Sequence, residues 1–316
     1  EDEVRSILQR PIHSYESDVV YLSLSADNNS SSSKRSYSSH TTMMNTTTTT
    51  MRHVKEGTAP SSTYTKTDLV PGKYEGGMKV WECSVDLCRW LQDHPTIIAA
   101  RPPPENGVDD GIVRVLELGC GHGLPGCWVL CHALREFYHQ REHNPHEVHH
   151  SSIPKLGLSV FWTDFNKFCI DQVTIPNLLL NLQECIPSQR HRRGGVDCGD
   201  GEDLDFDLSS QIILYHTRFG AGDWNVMSNQ LLKEEDRIMK LIAEKEPRPG
   251  GTTTKFDLIL AAETTYTEEA AKDTARIVAN HLTPGKGVAI IATKRYYFGV
   301  GGGSQCFSDA LLELGR

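Results

Sequence analysis

Three runs of this chain are apolar on both faces: residues 113–118 (VRVLEL), 257–262 (DLILAA) and 288–293 (VAIIAT). A strand with no solvated face must be covered above and below, which is the situation in a parallel sheet flanked by helices. The segments between the runs carry the helical period. Trp81, Val85, Cys88 and Leu91 recur at helical spacing, so residues 80–92 are expected to form an amphipathic helix. Further helices are expected over 124–137, over 167–185 with a kink at Pro176, and over 268–282, ended by Pro284-Gly285. Strands are expected at 113–118, 158–163, 212–218, 256–262 and 288–293. The sequence predicts an α/β fold, a Rossmann-like sheet with helices on both faces.

The chain has 316 residues and is only 38% hydrophobic, low for a soluble domain. The deficit is concentrated. Residues 26–50 (ADNNSSSSKRSYSSHTTMMNTTTTT) bury almost nothing that could offset the entropy of ordering them. Residues 1–67 therefore read as a largely disordered N-terminal extension, with a short strand or docking segment at 19–24, and residues 68–316 as the folded domain. Two polar stretches, 136–154 (rich in histidine) and 187–210, read as surface insertions. The chain opens on Glu1 rather than methionine, so its natural start is expected upstream.

Lys and Arg total 32 against 41 Asp and Glu, and a net charge of -9 excludes a general basic surface for nucleic acid. The nine cysteines are odd in number and never spaced C-x-x-C, as suits reduced thiols in the cytoplasm or nucleus rather than a disulfide framework or a zinc site. No apolar run reaches the roughly eighteen residues of a membrane helix. His139, His143, His146, His149 and His150 lack partners at metal-binding spacing, so no metal is expected.

The first expected strand runs into Glu117-Leu118-Gly119-Cys120-Gly121-His122-Gly123-Leu124-Pro125-Gly126. Glycines there let backbone approach a ligand at a helix N-terminus. Gly121, Gly123 and Gly126 spell the dinucleotide pattern G-x-G-x-x-G, yet the next strand-end acid, Asp164, lies about forty residues on rather than about twenty. Glu117, two residues before Gly119, equally fits the E-x-G-x-G loop of enzymes using S-adenosyl-L-methionine, where its carboxylate would face the ligand's amino acid end. A purely structural turn is the third possibility. Asp164 suits either a ribose diol or a helix cap, and the glycine loop favours the ribose. Asp223 and Trp224 would suit an adenine, or a surface acid beside a buried ring. Glu263 and Tyr266 place an acid and a phenol just past the fourth strand. Residues 294–303 add two cations, three aromatics and a glycine run that read as a substrate-facing wall.

With these stations in order, residues 68–306 resemble the seven-β-strand S-adenosylmethionine-dependent methyltransferases. More narrowly, they resemble the eukaryotic protein-histidine N-methyltransferase family that modifies a large-subunit ribosomal protein. The strings that carry the likeness are Pro71 to Cys83 (PGKYEGGMKVWEC), Ile170 to Asn177 (IDQVTIPN) and Tyr297 to Gly303 (YFGVGGG). The resemblance implies that Val80, Trp81 and Glu82 close over the cofactor, and that Gly119, Gly121 and Gly123 hold its amino acid end. It assigns Asp164 to the ribose, Phe165 and Asn166 to the side of the adenosine, Asp223 and Trp224 to the adenine, and Ala262 to the cofactor floor. Glu263 and Tyr266 match the family's acid-x-x-aromatic element for substrate positioning. It further implies a protein substrate, a ribosomal protein among them, acted on by a monomer in cytoplasm or nucleus. The short remainder after Thr293 has room for a helix at 307–314 but not for the antiparallel sixth and seventh strands, which are expected to be absent.

The reaction expected on this likeness is attack of a neutral imidazole on a sulfonium methyl group, which needs no strong base because an ordinary histidine is mostly neutral at cellular pH. Glu263 would accept the N–H of the other ring nitrogen and Tyr266 would pack on the ring. A lysine methyltransferase, a silent cofactor-binding module and a dinucleotide dehydrogenase are the rival readings.

Overall fold

The computed structural model describes residues 17–21, 50–54, 70, 73–99, 111–143, 153–187, 201–243 and 255–315, of which 17–21, 50, 54, 99, 201–207 and 234–243 are described as backbone alone. Most of the Ser/Thr tract and parts of both polar insertions lie outside these residues. From the N-terminus, β1 (Ser17–Tyr21) pairs antiparallel with β2 (Thr50–Val54). Then follow α1 (Glu82–Asp93), the short α2 (Thr96–Ala99), β3 (Val113–Leu118), α3 (Leu124–His143) and β4 (Leu158–Asp164). A helical turn (Lys167–Cys169) and a π turn (Ile170–Thr174) lead into α4 (Ile175–Cys185), followed by α5 (Gly201–His216), β5 (Thr217–Ala221) and α6 (Trp224–Ala243). The chain continues through β6 (Leu258–Ala262), α7 (Glu268–His281), β7 (Val288–Ala292) and α8 (Ser304–Glu313).

Five strands form a parallel sheet in the order β5-β4-β3-β6-β7. The chain winds outward from β3 to β5 and then crosses to the other side of β3. That order is the doubly wound Rossmann pattern, and the crevice at its reversal point opens above the C-terminal ends of β3 and β6, where such sheets bind ligands. Strand alternation builds the core on both faces. Val115, Leu258 and Leu260 pack with α1, α3 and α4, while Leu116, Leu118, Ile259 and Ala261 pack on the opposite side with α6, α7 and α8.

Four expectations are corrected. Residues 212–216 are the end of α5, and the strand begins at Thr217. Ser209, Ile212, Ile213 and His216 are buried while Tyr215 is exposed, a helical period that a short apolar run cannot distinguish from a strand. The insertion at 187–210 thus ends in helix. The irregularity expected at Pro176 falls just before it, in the π turn; the chain stays helical from 167 to 185, and the wider turn accommodates the missing proline N–H. Helix α3 runs six residues past the expected end, to His143. Finally, part of the N-terminal extension belongs to the fold. Met51 of β2 is fully buried in the main core, and Arg52 exchanges backbone hydrogen bonds with the Asn181 side chain at 2.9 and 2.8 Å.

Candidate active site

The glycine loop after β3 lies at the crevice. Gly119 and Gly121 are both left-handed (φ +57° and +47°) and both closely overlain: a Cβ on Gly121 would lie 3.0 Å from the Gly77 carbonyl, and one on Gly119 3.1 Å from Thr264 and 3.2 Å from the Trp224 ring. Gly123, also left-handed, opens α3. Glu117 is beneath this loop. Its side chain shares the α3 side of the sheet with Val115, is 3% exposed, and accepts a 2.8 Å hydrogen bond from Gly126 N–H. The expectation that it faces a ligand is therefore corrected: burial pushes its carboxyl up to about 8, and it braces the start of α3. The π turn and the first turn of α4 brace the loop from the side, with the Thr174 hydroxyl donating to Gly121 O at 2.6 Å and the Asn177 amide to His122 O at 2.8 Å. Local π turns of this kind recur at functional sites.

Asp164, at the end of β4, joins the loop to a second segment. Its Oδ2 accepts from Gly121 N–H at 2.9 Å and its Oδ1 from Asn166 N–H at 2.8 Å, yet burial still lifts its carboxyl to about 6. Asn166 acts as a clamp: Oδ1 accepts from Glu75 N–H at 3.0 Å and Nδ2 donates to Lys73 O at 2.7 Å. Phe165 is half-buried between them. The clamped segment crosses directly over Asp164, where a Cβ on Gly77 would meet Cys169 Sγ at 2.6 Å and Asp164 Oδ2 at 3.1 Å. The Trp81 indole donates to Gly76 O at 3.0 Å, Val80 packs on the core, and Glu82 opens α1 within 3.4 Å of Lys294 Nζ.

The far wall follows β6, whose last residue is the half-buried Ala262. Glu263 has φ +59°, the only non-glycine residue with positive φ among those described, and such backbone is costly unless its surroundings enforce it. Its carboxylate, 7% exposed, accepts from the Tyr297 hydroxyl and lies 3.6 Å from Lys294 Nζ. Burial and a hydrogen bond to Glu263 push the Cys83 thiol up to about 12. Tyr266 donates its hydroxyl to the Glu75 carboxylate across the crevice. Burial and these acidic partners raise both phenols above the ordinary tyrosine value, so each keeps its proton. Backbone N–H groups of Gly302 and Gly303 bond Tyr266 O and Thr265 O, which roots the 294–303 loop at the site while Tyr296 and Phe298 project into solvent, the latter 92% exposed.

Asp223 is exposed, and its carboxylate caps α6 by accepting from Asn225 and Val226 N–H at 2.8 and 3.2 Å. The ring of Trp224 lies against Gly119 instead. The Trp224 indole N–H and the Thr264 hydroxyl, both buried there, have no hydrogen-bond partner among the described residues. Buried polar groups are normally satisfied, so this cradle fits a ligand lying across Gly119. Sequence reasoning gave no role to Glu75, Gly77, Thr174 or Asn177. Their signal was polarity out of place: Thr174, Asn177 and Asn181 recur at helical spacing in an otherwise apolar stretch, and all three are buried.

No family model matches the chain. Among curated proteins, histidine protein methyltransferase 1 homolog of Dictyostelium discoideum is 30% identical over 251 residues, covering 79% of this chain and 53% of that protein. Histidine protein methyltransferase 1 of Schizosaccharomyces pombe is 31% identical over 253 residues, 78% of this chain and 60% of that one. Over nearly four fifths of its own length, the chain is thus similar to proteins named as histidine protein methyltransferases. The mouse homolog is 28% identical over 260 residues, with 82% of this chain and 56% of the other covered. The chain thus spans little more than half the length of the curated relatives it matches. Among solved structures, a TehB-like SAM-dependent methyltransferase from Corynebacterium glutamicum overlays with a TM-score of 0.30 at 15% identity, over 72% of this chain and 82% of that one. The fold assignment rests on strand order rather than on that overlay.

Proposed function

We propose that this chain transfers a methyl group from S-adenosyl-L-methionine to an imidazole nitrogen of a protein histidine, with a ribosomal protein as the substrate. The observation that carries the reading is the crevice itself: glycine loop and Asp164 on one side, a protonated phenol and two carboxylates on the other, all at the reversal point of the sheet. The names of the relatives supply the histidine. S-adenosylmethionine, when bound, supplies a methyl group activated by a neighbouring sulfonium charge.

The remaining work belongs to the chain's own residues. Gly119, Gly121 and Gly123 present bare backbone to the cofactor's amino acid end, Asp164 offers carboxylate oxygens to the ribose, and Trp224 and Thr264 line the cradle. The segment bearing Gly77, Val80, Trp81 and Glu82 closes over it and excludes water. A lysine substrate would first have to lose a proton, and phenols held in their protonated form are poor bases. A neutral imidazole needs none, so proximity and orientation suffice. The net charge of -9 suits a basic protein partner.

The test is incubation with methyl-labelled S-adenosylmethionine and large-subunit ribosomal proteins. Label should enter one protein band and disappear with Asp164→Ala; a protein fraction that stays unlabelled contradicts the proposal.

A further inference from the structure

We propose that an aromatic ridge on the 294–303 loop, made by Tyr296 and Phe298 with Val300, is the docking surface for the substrate protein. It takes an apolar side chain that neighbours the target histidine. The inference rests on the functional reading above, and three observations carry it.

First, the loop divides its aromatics. Tyr297 is half-buried and gives its hydroxyl to Glu263, while Tyr296 and Phe298 on either side of it are 55% and 92% exposed. Their rings meet edge-on with centroids 5.2 Å apart, and Val300 is exposed as well. Single exposed apolar residues are ordinary, but a joined pair of rings in solvent marks a surface that another molecule covers. Second, the loop keeps its shape without these side chains. Tyr297 N–H bonds Gly302 O, Gly301 N–H bonds Tyr297 O and Ser304 N–H bonds Lys294 O, each at 3.1 Å, and Gly301 bridges to Thr267. A Cβ on Gly302 would collide with Thr265 O and one on Gly303 with Arg295 O, so bare backbone is what permits this closure. Rings presented on a loop already fixed by its main chain lose little entropy when a partner covers them.

Third, the position of the loop identifies the occupant. Gly302 and Gly303 N–H are bonded to Tyr266 O and Thr265 O at 3.1 and 2.8 Å, so the ridge continues the wall that carries Glu263 and Tyr266. Lys294 lies 3.4 Å from Glu82 at the start of α1 and 3.6 Å from Glu263, which places the root of the loop at the mouth of the crevice. A small cofactor held inside the crevice gains nothing from a ring almost wholly in solvent. A protein that inserts one histidine there lays the residues beside it across the rim, and an apolar residue among them covers the ridge and buries both partners' apolar surface.

The experiment compares wild type with Phe298→Ala, Phe298→Leu and Tyr296→Ala, using the large-subunit ribosomal protein that the wild type labels. S-adenosylhomocysteine affinity, thermal unfolding and sedimentation are measured on the same proteins. Phe298→Ala should raise the KM for the protein substrate on the order of 10-fold with kcat nearly unchanged, the pattern of a lost docking contact. Tyr296→Ala should shift KM in the same direction, and Phe298→Leu, which stays apolar, should recover most of the affinity. Cofactor-product affinity and melting temperature should match the wild type in all three. An unchanged KM in both alanine variants overturns the proposal, as does a fall in kcat or in S-adenosylhomocysteine affinity, which would place the ridge in the catalytic or cofactor site. A wild-type dimer that Phe298→Ala dissociates assigns the ridge to a second copy of the chain and overturns it too. A wild type that labels no protein overturns the functional reading, and the docking surface with it.

Discussion

At Gly126 the glycine loop and the sheet are in direct contact. A Cβ there would lie 2.5 Å from both Glu117 Oε2 and Trp162 Nε1, so a bare backbone N–H is the only group that can reach the buried carboxylate. That carboxylate has a measurable consequence. Its folded-state value of about 8 lies above its ordinary 4.5, so between those values the folded state binds the proton more tightly than the unfolded chain. The resulting stability is fully present below about 4.5 and is lost as pH rises through about 8. Urea unfolding at pH 5 and pH 8 should show a smaller loss of stability with pH for Glu117→Gln than for the wild type. Equal losses would mean that Glu117 is not held protonated.

On the scale of elements, the π turn and α4 connect three parts of the molecule that are distant in sequence. Thr174 and Asn177 hold the glycine loop, and Asn181, one turn further, holds β2. The His53 ring of β2 meets the His122 ring of the loop edge-on at 5.4 Å, so the N-terminal hairpin buttresses the loop from outside. Asn181→Ala leaves the Arg52 backbone groups without their side-chain partner and should cost about 1–3 kcal/mol. Hydrogen exchange at residues 51–54 should accelerate in the variant; unchanged protection there would show that β2 is held by other contacts. This arrangement was only partly legible in the sequence. The apolar runs of β3, β6 and β7 announced a parallel sheet because each is covered on both faces. Residues 212–216 misled because three adjacent apolar residues carry no period. Strand β2 went unnoticed because Thr50-Met51-Arg52-His53-Val54 adjoins a Ser/Thr tract and its burial depends on Asn181, 129 positions from Arg52.

At the level of the whole molecule, doubly wound topology brings five separate sequence stations to one crevice, and that much the spacing of strands and motifs foretold. What spacing could not tell is which acid faces which partner. Glu117 turns inward because its strand position faces α3, Asp223 spends its carboxylate on a helix cap, and Asn166 grips the segment above it rather than lying open. Glu75 became visible only when the chain folded back across Asp164. The account's central claim, methyl transfer to a histidine, is tested most directly by acid hydrolysis of the labelled protein product to free amino acids. The account predicts that the label migrates as methylhistidine. Label recovered as methyl-lysine, or none recovered in any amino acid, would contradict it.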